Sequence, residues 1–237
     1  MNLWINTKNR SQMTERMDDF SISGLELRRT LITLGRINKW LGGNRVTLNG
    51  IKKVLNGHPK EETITILDLG CGGGDILRDV AEYGKQKGYS FKIIGVDANK
   101  STLGYAKELS QSFPDISFLH CDIFSEEFER VEYDLVLTSL FLHHFDDEQL
   151  ESLIKGILDK ASIGIVVNDL HRHSIAYFLF RLLCLFTTND MVREDGLISI
   201  LKGFKRDELI RISENIGASY RIKWKWAFRY QWIIQSK

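Results

Sequence analysis

The segment Ile66-Leu67-Asp68-Leu69-Gly70-Cys71-Gly72-Gly73-Gly74-Asp75-Ile76 constrains this chain more than any other. An apolar strand runs into glycines at 70, 72 and 74, and an amphipathic run follows to about Ala81. A strand that turns into a helix through glycines leaves free backbone N–H groups at the helix start, where an anionic part of a cofactor can bind. Glycine suits the turn because a bulkier residue would block that approach. The spacing is not that of a dinucleotide fingerprint, Gly-x-Gly-x-x-Gly, because Asp75 stands where the third glycine is required.

Beyond this turn, strand-like runs at 91–96, 116–119, 134–138 and 163–167 alternate with helix-like segments, as the run at 64–69 does before it. Such a βα series predicts a parallel sheet. Residues 205–216 read as a helix ending at Gly217, and 220–226 with 230–234 read as a closing hairpin, which only antiparallel pairing permits. Toward the start, Leu27, Leu31, Leu34, Ile37 and Leu41 recur at helical spacing before Gly42-Gly43, and a second short helix is expected over 46–55. The first twenty residues are polar and weakly periodic, the pattern of a mobile arm or flap. The chain therefore divides into a helical extension, 1–60, and an α/β domain, 61–237, with an insertion at about 172–203.

Open α/β sheets bind ligands at the carboxyl ends of their strands. The second strand ends at Asp97, a carboxylate able to accept from both hydroxyls of a ribose. The third ends near Asp122, the fourth runs through Ser139 and Leu140 to His143-His144, and the fifth ends in Asn168-Asp169-Leu170-His171-Arg172-His173. This last run concentrates titratable groups where a substrate would lie, although a solvated polar connection would read the same way. Asp134 opens its strand far from that end and reads as structural.

Lys and Arg total 32 against 31 Asp and Glu, so the overall charge gives no footprint for a nucleic acid. Cys71, Cys121 and Cys184 have neither disulfide nor zinc-ligand spacing, which points to a cytosolic protein. No signal peptide is apparent, and the longest apolar stretch, 175–186, is interrupted by Arg181 and too short to span a bilayer, so no transmembrane segment is expected. Oligomeric state is left open.

Gly-x-Gly-x-Gly preceded by an acidic residue two places before the first glycine, with Asp97, Asp122 and the 133–146 segment in order after it, resembles the motifs of class I S-adenosylmethionine (SAM)-dependent methyltransferases of small-molecule type. The resemblance runs from about residue 55 to the end of the chain. It implies a Rossmann-like α/β fold with a seven-stranded, mostly parallel sheet, an antiparallel last strand, a helical N-terminal extension and a helical cap insertion. It also implies SAM as cofactor, S-adenosylhomocysteine (SAH) as product, and cofactor contacts at Asp68, Gly70, Cys71, Gly72, Gly74, Asp97, Ala98, Asp122, Ile123, Ser139 and Leu140. Asp122 would accept from the adenine amino group.

His144, before Phe145-Asp146, better matches the histidine of ubiquinone-type O-methyltransferases and is read as base or substrate anchor. His143, His171 and Asp169 are further catalytic candidates. Metal-dependent catechol methyltransferases use an Asp just after the fourth strand; Thr138-Ser139-Leu140-Phe141 has none, so no essential metal is expected. Residues 174–186, apolar nearly all round, must be buried, against the 27–41 helix or against a lipophilic ligand. Looser likenesses at 36–43, 192–196 and 201–204 point toward enzymes beside polyketide or aryl-lipid biosynthesis. The expected reaction is O-methylation of a hydroxylated aromatic or polyketide-like small molecule. The alternatives are a protein or peptide methyltransferase and a non-catalytic SAM-binding regulator.

Overall fold

A seven-stranded sheet in the order β3-β2-β1-β4-β5-β7-β6 organises the molecule, seen in a computed structural model that describes residues 5–236. The strands are β1 (Thr63–Leu69), β2 (Ser90–Asp97), β3 (Ile116–His120), β4 (Leu135–Ser139), β5 (Gly164–Leu170), β6 (Ser219–Lys225) and β7 (Arg229–Gln235). β1 to β5 pair in parallel, while β7 inserts antiparallel between β5 and β6. The expected sheet is therefore present, and the strand order reverses between β1 and β4, the position where such sheets open a ligand crevice.

The inner strands read as continuous apolar runs because helices cover both faces. On one side Ile64, Ile66, Leu135 and Val166 meet Ile51 of α2 (Gly43–Val54), Leu55 at its C-cap, and Leu77 and Val80 of α3 (Asp75–Lys87). On the other, Leu67, Val136, Ile165 and Trp232 pack with α6 (Asp147–Leu158) and α9 (Arg206–Asn215). α4 (Lys100–Leu109) and the short α5 (Glu126–Glu129) flank the β3 side. α2 begins three residues earlier than its apolar spacing suggests: Gly42, in a left-handed conformation, ends the preceding helix α1 (Gly24–Trp40) and starts α2 at once. Buried Asn168 on β5 fixes this junction, donating to the Gly43 carbonyl at 3.0 Å and to Thr47 Oγ1 at 3.1 Å.

Two expectations fail here. Residues 1–4 lie outside the described residues, and residues 5–20 do not form a detached arm. Within them, Arg10 donates to the carbonyls of His143, Phe145 and Lys202, and Ser11 N donates to Leu201 O. Asp195 accepts from the backbone of Arg16 and Met17. A polar segment looks mobile in sequence because its partners are backbone carbonyls and charges far along the chain. Nor is the 174–186 segment buried against α1. Helix α7 (Ser174–Leu183) packs on α8 (Asp190–Lys202), which also touches α1, and Ala176 is its one buried residue.

The polar run after β5 also departs from a solvated connection. Arg172 is fully buried, bonded to the carbonyls of Thr7, Lys8 and Gly203 and forked onto Glu208 of α9. Five donors on a planar head suit it to joining three chain segments at one point. Removing one partner of a buried pair strands the other charge, so Glu208→Ala is expected to lower stability by about 3 kcal/mol in chemical denaturation.

Candidate active site

The glycine turn forms one wall of a cavity of about 1130 Å3. Gly70, Gly72 and Gly74 all have positive φ, at 65°, 52° and 71°, which explains why the sequence spends glycine at every second position. A Cβ on Gly70 would stand 2.2 Å from the Phe141 ring, so the bare backbone is what lets the β4 loop close over the turn. A Cβ on Gly72 would meet nothing nearer than Leu31 at 3.9 Å: this glycine opens onto the cavity. Gly74 instead caps α3.

Asp97 closes the turn from the next strand. Its Oδ2 accepts from Gly72 N at 3.1 Å and its Oδ1 from Asn99 N at 2.9 Å, and the carboxylate faces the cavity. Burial raises its pKa, opposed by those two N–H groups and by His120. Asp68 behaves differently from expectation. It is 2% exposed, does not line the cavity, and has one carboxyl oxygen without a hydrogen-bond partner. Burial and the neighbouring Asp97 charge push its pKa up to about 8.

Cys71, Ala98, Asp122, Ile123 and Phe124 continue the cavity wall from β2 to β3. Asp122 is exposed, with Oδ1 accepting from Phe124 N, so its side chain shapes the loop in this state. Asp134, by contrast, holds strands together through Thr65 N and Ser162 Oγ, the structural part its position suggests.

At the end of β4, Ser139 bonds Thr47 of α2, and Leu140 takes φ 56° with its N–H on Asn168 O. A left-handed leucine costs on the order of 1–3 kcal/mol, and strain of this kind persists where the surroundings over-determine it. It turns the chain so that Phe141 meets Gly70 and His143 faces β5. There His143 Nδ1 lies 2.7 Å from Asp169 Oδ1, and His143 N donates to Asp169 Oδ2 at 3.3 Å. Burial alone would raise the Asp169 pKa, but His143 and the Leu170 N–H hold it below the usual carboxylate range. The carboxylate holds the imidazole in place through Nδ1.

His143 Nε2 is buried without a hydrogen-bond partner, 3.7 Å from Glu15 Oε1. Glu15 is held by Ser199 Oγ at 2.7 Å and lies 3.3 Å from Lys202 Nζ. His144 turns to the N-terminal segment instead, its Nδ1 2.8 Å from Asp18 Oδ1. Glu15, Asp18 and Lys202 were invisible to sequence reasoning, since nothing in a polar N-terminal stretch signals contact with residues nearly two hundred positions away. His171 lines the cavity and accepts from Trp224 Nε1. Burial, together with His173, Arg172 and Lys205, lowers its pKa to about 4, so it is neutral near pH 7. His173 is spent on capping α7.

Much of the remaining wall is apolar, with Leu27, Leu31, Leu34 and Ile37 of α1 and Leu179, Leu182 and Leu183 of α7, while Asn38, Gln149 and Arg229 add polar groups. Glycine turn, histidine pair and apolar chamber are thus one connected space.

Residues 66–160 match the family model of a methyltransferase domain. An uncharacterized methyltransferase of Synechocystis sp. is 35% identical over 112 residues, 46% of this chain and 48% of that protein. The chain spans about half the length, or less, of the curated relatives it matches. Among solved structures, the plantazolicin methyltransferase BpumL in complex with SAH superposes with a TM-score of 0.66 at 16% identity, covering 89% of this chain and 90% of that one. Human N-acetylserotonin methyltransferase in complex with SAM gives a TM-score of 0.61 at 17% identity, covering 89% of this chain and 55% of that one. At those identities the likeness is one of fold.

The ion pairs of the N-terminal segment make its docking pH-dependent. Burial disfavours the His144 imidazolium, yet Asp18 and Glu15 outweigh it and raise the pKa. Burial likewise works against the Asp18 carboxylate, but His144, the Glu15 N–H and Lys202 depress its pKa strongly. The His144 contribution is complete below about pH 6.5 and disappears as pH rises through the raised pKa; the Asp18 contribution is complete above about pH 4 and disappears in strong acid. Tryptic cleavage after Arg16, normalised to a free peptide of the same sequence, should therefore be several-fold faster at pH 9 than at pH 6.5. His144→Asn should flatten that difference.

Proposed function

We propose that this chain, which carries the methyltransferase domain of the class I SAM-dependent enzymes, methylates a hydroxyl group on a small, largely apolar molecule, of hydroxylated aromatic or polyketide-like type. The observation that carries this reading is the His143–Asp169 pair: His143 lines an apolar-walled cavity that also reaches the glycine turn, and its buried Nε2 has no hydrogen-bond partner.

The residues fit the cofactor on their own chemistry. Gly72 presents bare backbone to the cavity, Asp97 offers a carboxylate to ribose hydroxyls, and Ile123 with Phe124 gives apolar cover for a base. Ser139 and Leu140 stand between that region and the histidines. SAM, when bound, supplies a methyl group on a positively charged sulfur, which needs no acid to leave.

What the chain must add is alignment of the acceptor and removal of its proton. His143 Nε2 takes the hydroxyl proton, so that the oxygen attacks with increasing negative charge. The resulting imidazolium is stabilised on both sides, by Asp169 at Nδ1 and by Glu15 near Nε2. We place the base at His143 rather than at His144, favoured by sequence context, because Asp169 holds His143 from the β5 end while His144 lies against Asp18 of the N-terminal segment. His171, neutral and on the cavity wall, is a positioning group for the substrate.

Two outcomes test the assignment. Asp97→Ala should weaken SAH affinity by about tenfold to a hundredfold in calorimetry, in keeping with ~1.5–3 kcal/mol for a hydrogen bond to a charged group. His143→Asn should leave that affinity within about threefold but slow methyl transfer from labelled SAM to alkyl-substituted phenols by roughly 10²–10⁴, the range for a lost general base. Transfer at the wild-type rate in His143→Asn would remove it from the mechanism.

A further inference from the structure

The near-zero overall charge conceals a strong segregation. From residue 27 to residue 60 the chain has eight Lys and Arg and no Asp or Glu, and residues 215–237 again contain only basic charges. The insertion from 170 to 189 has no carboxylate either. These three stretches supply α1 beyond Glu26, α2, α7 and the β6–β7 hairpin; α1, α7 and the hairpin turn line the cavity together with α8, which carries Asp190, Glu194 and Asp195.

Their apolar side chains are exposed there. Ile175, Leu179, Leu182 and Phe186 follow one another at helical spacing along α7 and just beyond it, at 53%, 48%, 57% and 88% exposure. Trp40, at the end of α1, and Trp226, in the hairpin turn, complete the rim at 73% and 66%. Leu179, Leu182, Phe186, Trp40 and Trp226 all line the same cavity. Contiguous apolar surface of this kind is unusual on a protein that works alone in water.

The basic groups are gathered beside it. Lys53 of α2 reaches Gln231 of β7, and its pKa is lowered by partial burial and by the charges of Lys225, Lys223 and Arg221 on the edge strand β6. That strand runs directly into Trp226. Cations on an edge strand ordinarily discourage strand pairing. That duty does not account for the missing carboxylates on α2, α7 and α1 beyond Glu26, or for the tryptophans.

We propose that the cavity mouth is a docking surface for an anionic lipid bilayer, with α7 and the two tryptophans entering the headgroup region and the Lys53–Lys223–Lys225 cluster facing anionic headgroups. Aromatic belts, an apolar helical stripe and flanking Lys/Arg are the components of interfacial attachment. A nucleic acid would match the cations but has no use for the aliphatic stripe, and a second copy of this chain would bring like charge to like charge. The cavity then opens toward the phase where a lipophilic substrate is most concentrated. This extension rests on the apolar substrate proposed above, but docking itself needs neither cofactor nor substrate, so its failure and that of the catalytic reading are separable.

The test is co-sedimentation of the purified full chain, without ligands, on vesicles of phosphatidylcholine alone and with 30 mol% phosphatidylglycerol. The expected result is binding to the anionic vesicles, at least tenfold weaker on phosphatidylcholine alone or in 0.5 M NaCl. Lys223→Glu/Lys225→Glu and Leu182→Ser/Phe186→Ser, each checked for native circular dichroism, should each reduce it at least fivefold. Equal partition of wild type and both variants, or no sedimentation, overturns the proposal. So does a concentration-dependent dimer that Leu182→Ser/Phe186→Ser dissociates, or binding to an RNA oligonucleotide without binding to vesicles.

Discussion

The His143–Asp169 bond is the interaction on which the remainder of the site depends. Both groups are buried, so neither charge nor lone pair has water to fall back on, and an unpaired carboxylate there would be costly. Satisfying Asp169 requires the β4 loop to swing toward β5, which in turn requires a left-handed Leu140 and places Phe141 against Gly70. Gly70 must then be bare. The glycine turn and the histidine turn are accordingly a single construction, held from opposite ends by Asp97 and Asp169.

The N-terminal segment completes the construction. Arg10 satisfies the carbonyls of His143 and Phe145, which a short helical turn leaves open, and Glu15 brings a second carboxylate beside the imidazole. Charge at this end is arranged so that a proton arriving on His143 meets a negative group on either side. Burial by α1 and α8 keeps those interactions strong by excluding solvent.

The sheet and its ligand-binding edge were legible because their signals are local: alternating apolar runs fix the strands, a glycine at every second position fixes the turn, and Asp97 follows its strand without a gap. Which of two adjacent histidines faces β5 was not legible, since the answer depends on the backbone angle of Leu140, and leucine carries no signal for that conformation. Glu15, Asp18 and Lys202 were hidden for another reason. Their pairing joins segments separated by most of the chain, and isolated charges in sequence read as solvated surface. The 174–186 run showed its apolarity plainly, but composition says that such a face must be covered, not by what. Asp68 shows the reverse: an acid in the expected motif position is buried and is not among the residues lining the cavity.

A crystal structure of the wild-type chain soaked with SAH tests the central claim, that one cavity holds cofactor and acceptor with His143 at their junction. The account predicts density with the ribose on Asp97, the adenine beside Ile123 and Phe124, and the sulfur directed toward the space between Leu140 and His143. Density in any other part of the cavity, or a sulfur turned away from His143, would contradict it.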